Sequence, residues 1–264
     1  MTITTDGSRT VRLQQPRQNE IYLMAMRAGS VDVSELARLF DVTTETIRRD
    51  LSELQSRQLL RRIHGGAVPV ERQHHEPMIE ARDALNADQK LSIAREAVRH
   101  IPDHGSIIID SGSTGQRFAD VFPLDHKVHV VTNSLGTALI LARKGVAELT
   151  VLGGDVRINT LAMVDASVVD AVRRLRVDTL FISCDGLSLI RGLTTPYREE
   201  YMVKQAMIEA ARWVVAIVDS SKFGNEQMYS HAALSEIDVL ITDNRVSSED
   251  VERIQAHDVE VVIA

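Results

Sequence analysis

Two arginine pairs carry the most specific chemistry in this 264-residue chain. Arg48 and Arg49 lie in "DVTTETIRRDLSELQ", where Ile47, Leu51 and Leu54 recur at helical spacing and leave Thr44, Glu45, Arg48, Arg49 and Ser52 on or beside the opposite face. Thr43 stands where a helix cap is needed. Arg61 and Arg62 follow in "LLRRIHGGAVPV", which reads as a strand, a Gly65-Gly66 turn and a second strand. A helix with such a polar face fits the major groove of duplex DNA, where an arginine fork binds a guanine edge or a phosphate. On that reading Thr43, Thr44, Glu45, Thr46, Arg48 and Arg49 approach DNA from the helix. Arg61, Arg62, His64 and Gly65 approach a neighbouring stretch of its backbone from the hairpin. One arginine pair alone is more often a solvated helix face; the second pair in a glycine-turned hairpin is what favours DNA.

A second set of candidates stands at the ends of apolar runs. "IIIDSGSTGQRFADVF" is a strand, a short polar loop and a helix, so the backbone N–H groups from Gly112 onward and the hydroxyls of Ser111, Ser113 and Thr114 can hold an anion at the positive helix end. There is no Gly-Lys-Ser/Thr sequence, which excludes a nucleotide P-loop and suits a small phosphorylated metabolite. A merely structural strand-to-helix turn fits the loop as well. Later strand ends add Thr132, Asn133 and Ser134 for sugar hydroxyls, Gly153 and Gly154 for close backbone approach, and Arg157, Lys204 and Lys222 for positive charge. Asp110, Asp185 beside Gly186, Glu199 and Asp219 can accept from hydroxyls. Singly, each of these is the kind of residue that caps or covers a surface; their recurrence at successive strand ends suggests a pocket.

The elements that must position these groups follow from composition and periodicity. The chain is 44% hydrophobic with a net charge of −7, ordinary for a folded protein with a real core. No apolar run approaches the roughly 20 residues of a membrane span, and "MTITTDGSRTVRLQQPRQ" lacks the apolar segment of a signal peptide, so a cytoplasmic protein is expected. The single Cys184 excludes an internal disulfide and a cysteine zinc cluster; it reads as a small buried hydrophobe. Residues 1–75 hold 11 arginines against 9 acidic residues, a surplus of +2 in an acidic protein.

The periodicity predicts two domains and a passage between them. Residues 17–72 read as a winged helix-turn-helix, mainly α, with the helix-turn-helix motif at about 34–53. Its first helix runs from about Arg17 to Arg27 with Ile21, Met24 and Ala28 on one face. Asp32 is the expected cap of the second, with Glu35 as reciprocal partner and Leu36, Leu39 and Phe40 inward. Weak periodicity around two prolines places a linker at 73–86, where His74-His75 is read as solvated. Residues 87–264 alternate seven apolar runs, from "GSIIID" to "VEVVIA", with helical segments. Such runs are strands buried on both faces, so the expectation is a doubly wound, Rossmann-like α/β domain that binds ligands at the carboxyl ends of its strands.

"ELARLFDVTTETIRRDLSELQSRQLLRRIHGGAV" resembles the helix-turn-helix signature of the DeoR family of bacterial transcription regulators. The resemblance continues in order through Arg82, Asn86 and Lys90, then "DSGST", "VTNS", "LGGDVR", "CDGL", "GLTT" and "DSSKFG". Thr43 stands where the family pattern has Ser, and Asp165 and Ser183 where it has glycines, which alters the nearby pocket. The resemblance implies a sensor domain related to phosphosugar isomerases and CoA transferases, a duplex operator and a phosphorylated sugar as partners, a homo-oligomer (dimer or tetramer), no membrane and no cofactor. It implies a repressor of carbohydrate genes that has lost turnover. The residues by themselves leave open a phosphosugar isomerase with a DNA-binding appendage, since Asp110, Asp185, Glu199 and Lys222 supply titratable groups for proton transfer. An activator built from the same parts also stays open.

Overall fold

The computed structural model describes residues 17–18, 20–22, 24–25, 30–56, 59–63, 65–69 and 77–264. The chain divides into two compact units, Met1–Glu76 and Pro77–Ala264. In the first, the described residues from Arg17 to Ala25 are helical and bury Ile21, Tyr22 and Ala25, while Ala28 and the end of that expected helix fall outside the described residues. Strand β1 (Val31–Asp32) leads into the helix Val33–Leu39. The Asp32 carboxylate accepts from the N–H groups of Ser34 (2.7 Å) and Glu35 (3.0 Å), a cap worth about 1 kcal/mol. Glu35 thus contributes its backbone rather than a reciprocal side chain. The buried stripe is Val33, Leu36 and Ala37. Leu39, expected inside, is 60% exposed at the helix end, and Phe40 is half-buried.

The helix Thr44–Ser56 buries Ile47, Leu51 and Leu54 as its spacing requires, and strands β2 (Leu60–Ile63) and β3 (Gly66–Pro69) form the hairpin. Strand β1 adds to the hairpin in the order β1-β3-β2, a third strand that two residues of sequence do not announce. Gly66 has no alternative there, since a Cβ on it would sit 2.0 Å from the Val31 carbonyl oxygen.

The second unit is built on a seven-stranded parallel sheet. Its strands are β4 (His104–Ile109), β5 (Lys127–Thr132), β6 (Leu149–Val151), β9 (Val177–Ile182), β12 (Ala211–Ile217), β14 (Val239–Thr242) and β15 (Glu260–Ile263), in the order β15-β14-β12-β9-β4-β5-β6. All seven apolar runs are strands of it. Alternate residues serve opposite faces: Ile107 and Ile109 pack with Phe118, Phe122 and Leu141 on one side, Ile108 with Val168, Val203 and Met207 on the other. Two-sided burial is why these strands are unbroken apolar stretches. The chain order reverses between β4 and β9, so their carboxyl ends diverge and open a crevice there.

Two smaller sheets are not announced by the sequence, because their strands are only two to four residues long. They are the hairpin of β7 (Val156–Arg157) with β8 (Ala162–Met163), and the antiparallel β10 (Gly186–Ser188), β11 (Gly192–Thr195) and β13 (Tyr229–Ala232). The expected linker also needs correction. Residues 73–76 lie outside the described residues, but 77–86 belong to the second unit. Ile79–Ala84 is a helix that buries Ile79 and Ala81, and its Asp83 takes a bidentate pair of hydrogen bonds from Arg117 (2.7 and 2.6 Å). Weak periodicity reflects a six-residue helix too short to show a stripe.

Candidate nucleic-acid interface and anion cleft

Thr43 caps the helix Thr44–Ser56, its Oγ1 accepting from the Thr46 N–H at 3.2 Å. That cap sets where the helix begins, and the buried stripe sets its roll. Thr44, Glu45, Arg48 and Arg49 are exposed together and Thr46 is half-buried. Arg48 pairs loosely with Glu45 at 3.4 Å, both in solvent, a contact of little energy that DNA phosphate can displace. The roll is further fixed by Asp50, which sequence reading missed. This carboxylate is buried on the inner side and accepts from Arg17 (2.6 Å) and Gln18 (3.0 Å) of the preceding helical segment.

The wing is stitched to this helix. Arg62 donates to Ser52 Oγ at 3.0 Å, Ser52 Oγ donates to the Arg48 carbonyl at 2.7 Å, and the Arg62 N–H reaches Gln55 Oε1 at 2.9 Å. Arg61 and Gly65 are exposed; His64 lies outside the described residues.

In the second unit, a cleft at the β4/β9 crevice is lined by Arg82, Leu85, Asn86, Lys90, Ser113, Thr114, Ser183, Cys184, Asp219, Ser221 and Lys222, among others. Its floor is the start of the helix Ser113–Val121, where Gly112 has φ +121° and no side chain caps the first turn. The Ser113 and Thr114 side chains are bonded to no described residue, and the same holds for the Lys222 ammonium. Backbone donors at an uncapped helix start, two unspent hydroxyls and an unbonded ammonium are groups of the kind that can hold an anion. Three cations, Arg82, Lys90 and Lys222, line it against the one carboxylate of Asp219. Burial pulls the Lys90 ammonium down to about 8, with Asp219 opposing and Lys222 and Arg82 assisting, so it stays largely charged at neutral pH.

Behind the cleft lies a buried charged network. Lys204 pairs with Asp110 in a very short contact and donates to the Ser183 carbonyl at 3.0 Å. Burial alone would lower the Lys204 pKa, but the attraction of Asp110 and Glu200 outweighs it and leaves it raised. Asp185 accepts from Arg82 at 2.8 Å and from Thr195 at 2.9 Å; burial opposes its charge, yet Arg82, Lys222 and Lys204 hold its pKa down. Arg157 sits 3.3 Å from Glu200 and 3.7 Å over the Tyr197 ring.

Of the expected pocket residues, the structure brings Ser113, Thr114, Asp219 and Lys222 to the cleft, with Gly112 at its rim and Asp110, Ser111, Asp185 and Lys204 beneath or beside it. Gly186 lies outside the cleft lining, in β10, where a Cβ would sit 2.4 Å from the Asn225 carbonyl oxygen. The others stand elsewhere. Thr132 is spent on the Ile109 carbonyl (2.7 Å), Asn133 on the Ser111 N–H (3.1 Å), and Ser134 caps the helix Leu135–Lys144. Gly153 and Gly154 lie in an exposed loop, with Gly154 against Val168 and Asp165. Glu199 is exposed on the helix Arg198–Ala210, and its neighbour Glu200 is the buried carboxylate. A one-residue step turns a helix by about 100°, which strand-end reasoning does not resolve.

The two departures from glycine in the family pattern have clear uses: Asp165 caps the helix Ala166–Arg173, and Ser183 fills the space beside Gly112, its Oγ donating to the Ser111 carbonyl at 3.2 Å. Arg82, Asn86 and Lys90 were missed as pocket residues because they fell in or beside the expected linker; their regular spacing in the quoted series was the available signal. Cys184 is buried, and burial pushes its thiol up to about 12.

A family model for the DeoR-like helix-turn-helix domain matches residues 17–73, and one for the DeoR C-terminal sensor domain matches 85–244. The HTH-type transcriptional regulator GlpR of Haloferax volcanii is 33% identical over 95% of this chain and 98% of its own. The glycerol-3-phosphate regulon repressor of Escherichia coli is 31% identical over 87% of this chain and 91% of its own. Ribose 5-phosphate isomerase A of Neisseria gonorrhoeae is 18% identical over 56% of each chain, with a TM-score of 0.39.

Proposed function

We propose a repressor, on a premise the matches establish: the chain belongs to the DeoR family of helix-turn-helix transcriptional regulators. It binds duplex operator DNA through the helix Thr44–Ser56 and its wing, and a phosphorylated sugar or related metabolite in the cleft at the β4/β9 crevice relieves repression of carbohydrate genes. The observation that carries the effector is the uncapped start of the helix Ser113–Val121 facing Arg82, Lys90 and Lys222. That surplus of cations fits a phosphate dianion. Asp219 lines the cleft and can accept from a sugar hydroxyl. The relative named for the glycerol-3-phosphate regulon supports a small phosphorylated polyol or sugar. No helix among the described residues is long and apolar enough to cross a membrane, and a DNA-binding regulator works in the cytoplasm.

Turnover is not part of this reading. Isomerisation needs a base free to take a proton near neutral pH; of the carboxylates proposed for that role, Asp110 is held by Lys204 and the Ser183 N–H (3.3 Å), Asp185 by Arg82 and Thr195, and Glu199 is exposed away from the cleft lining. Assaying the purified chain for interconversion of aldose and ketose phosphates tests this directly; measurable turnover abolished by Asp185→Asn would replace the sensor with an enzyme. A thermal-shift screen of phosphorylated metabolites tests the effector, because ligand at 100 times its Kd stabilises the fold by about 2.7 kcal/mol.

Arg48→Ala and Arg49→Ala are each expected to weaken binding to an operator selected from random duplexes by about 1–3 kcal/mol while leaving the thermal transition in place, since both side chains are exposed. A base-reading arginine relaxes specificity at one position, and a phosphate contact lowers affinity for all sequences and flattens the salt slope. Wild-type affinity in both variants would remove this helix from the groove. The protein is also expected to be at least a dimer, because one small winged unit buries too little DNA surface for tight specific binding and linked heads gain by effective concentration. Light scattering and titration with operator check this; a monomer binding one to one contradicts it.

A further inference from the structure

The wall of the cleft is made by the first stretch of chain after the winged unit. Residues 77–90 begin where the first compact unit ends, and Arg82, Leu85, Asn86 and Lys90 all line the cleft. The same side chains hold this stretch down. Arg82 reaches Asp185 at 2.8 Å, and Asn86, at a left-handed φ of 53°, donates to Asp219 at 3.0 Å and Ser221 at 3.3 Å. Lys90 Nζ donates to the carbonyl of Leu85 at 2.6 Å and, closer still, to that of Arg82. One tether stands apart from the cleft lining, the bidentate contact of Asp83 with Arg117.

Building on the effector reading above, we propose that Arg82 exchanges Asp185 for an anionic oxygen of the effector, and that Lys90 turns with it, so that residues 79–86 are released about the Asp83–Arg117 pin and report cleft occupancy to the winged unit through the chain. The exchange is isoelectric for Arg82, one anion for another, so its balance is set by the geometry and charge of the incoming group. Lys222, whose ammonium makes no hydrogen bond or close ion pair with a described residue, supplies the attraction that brings the anion in. A ligand shifts a two-state equilibrium only through contacts that differ between the states. Here that difference is built in, because Arg82 and Lys90 cannot serve the strap and the ligand at full strength together.

Hydrogen exchange on the full chain, with inorganic phosphate against chloride at equal ionic strength, reads both ends of the exchange at once. Amides of 113–116 are expected to slow, while those of 79–86 speed up by about tenfold, the scale of one lost charge-assisted hydrogen bond. Slowing at 113–116 with 79–86 unchanged or also slowed overturns the strap and leaves the effector site standing. No change in either segment removes both. Asp185→Asn, which weakens the hold on Arg82, is expected to speed exchange in 79–86 without phosphate, with strand amides of β14 as the check on folding. Arg82→Gln does the same from the other partner where Asp185→Asn fails to fold. Wild-type exchange in 79–86 in a folded variant sinks the proposal.

Discussion

Lys204→Ala is expected to destabilise the α/β unit by about 3–5 kcal/mol, the cost of leaving a buried carboxylate without its cation. For a unit of this size that is roughly 6–20 °C in Tm. The side chains of Lys204 and Asp110 are 5% and 1% exposed, so neither charge can turn to water. The ammonium also donates to the Ser183 carbonyl, so one side chain ties the ends of β4 and β9 together at the crevice where the sheet reverses. Removing both charges as Lys204→Met with Asp110→Asn should recover most of the loss, because an apolar replacement of a buried pair is often neutral. Urea unfolding of the wild type and the two variants decides it: a loss under about 1 kcal/mol in Lys204→Ala would mean that the pair does not hold this junction. The raised pKa of Lys204 gives the pH sign. The folded state holds that proton more tightly, so the contribution is complete below the unfolded value of 10.5 and is lost as pH rises through the folded one.

The helix-turn-helix and the parallel sheet were legible because each rests on local periodicity. Ile47, Leu51 and Leu54 could face only one way, and Thr43 could cap only one helix; a run such as Ile107-Ile108-Ile109 makes sense only when both faces of a strand are covered. The loop between β4 and the helix Ser113–Val121 was legible for a similar reason, since strand, glycine turn and helix are contiguous around "DSGST". What escaped depends on contacts distant in sequence. Asp50 meets Arg17 across 33 residues and Arg82 meets Asp185 across 103, and neither pairing leaves a local signature. Thr132, Asn133 and Ser134 have the right chemistry at the right strand end, yet their groups go to the backbone of Ile109, of Ser111 and Met163, and of Thr137. Polar residues at a strand end are needed by the fold before any ligand arrives.

Lys222→Ala is expected to abolish the response to effector while leaving DNA binding intact. Lys222 ends the short turn Ser220–Lys222 after β12 and lines the cleft with its ammonium bonded to no described residue, so a ligand need break no hydrogen bond to meet it. Losing one charge-assisted contact should weaken effector binding by about 1.5–3 kcal/mol, roughly 10- to 150-fold. Ser113→Ala removes a neutral donor from the same floor and should cost less, on the order of 1 kcal/mol. If the effector favours the form released from DNA, linkage requires that DNA weaken the effector by the factor with which the effector weakens DNA. Both variants should therefore show wild-type operator affinity without effector and a release curve displaced to higher effector concentration, further for Lys222→Ala. Operator titrations at increasing effector, using the metabolite that gives the largest thermal shift, measure all three curves. If both variants release DNA at the wild-type effector concentration, the anion is not held at the start of the helix Ser113–Val121, and the cleft between β4 and β9 is not the sensor.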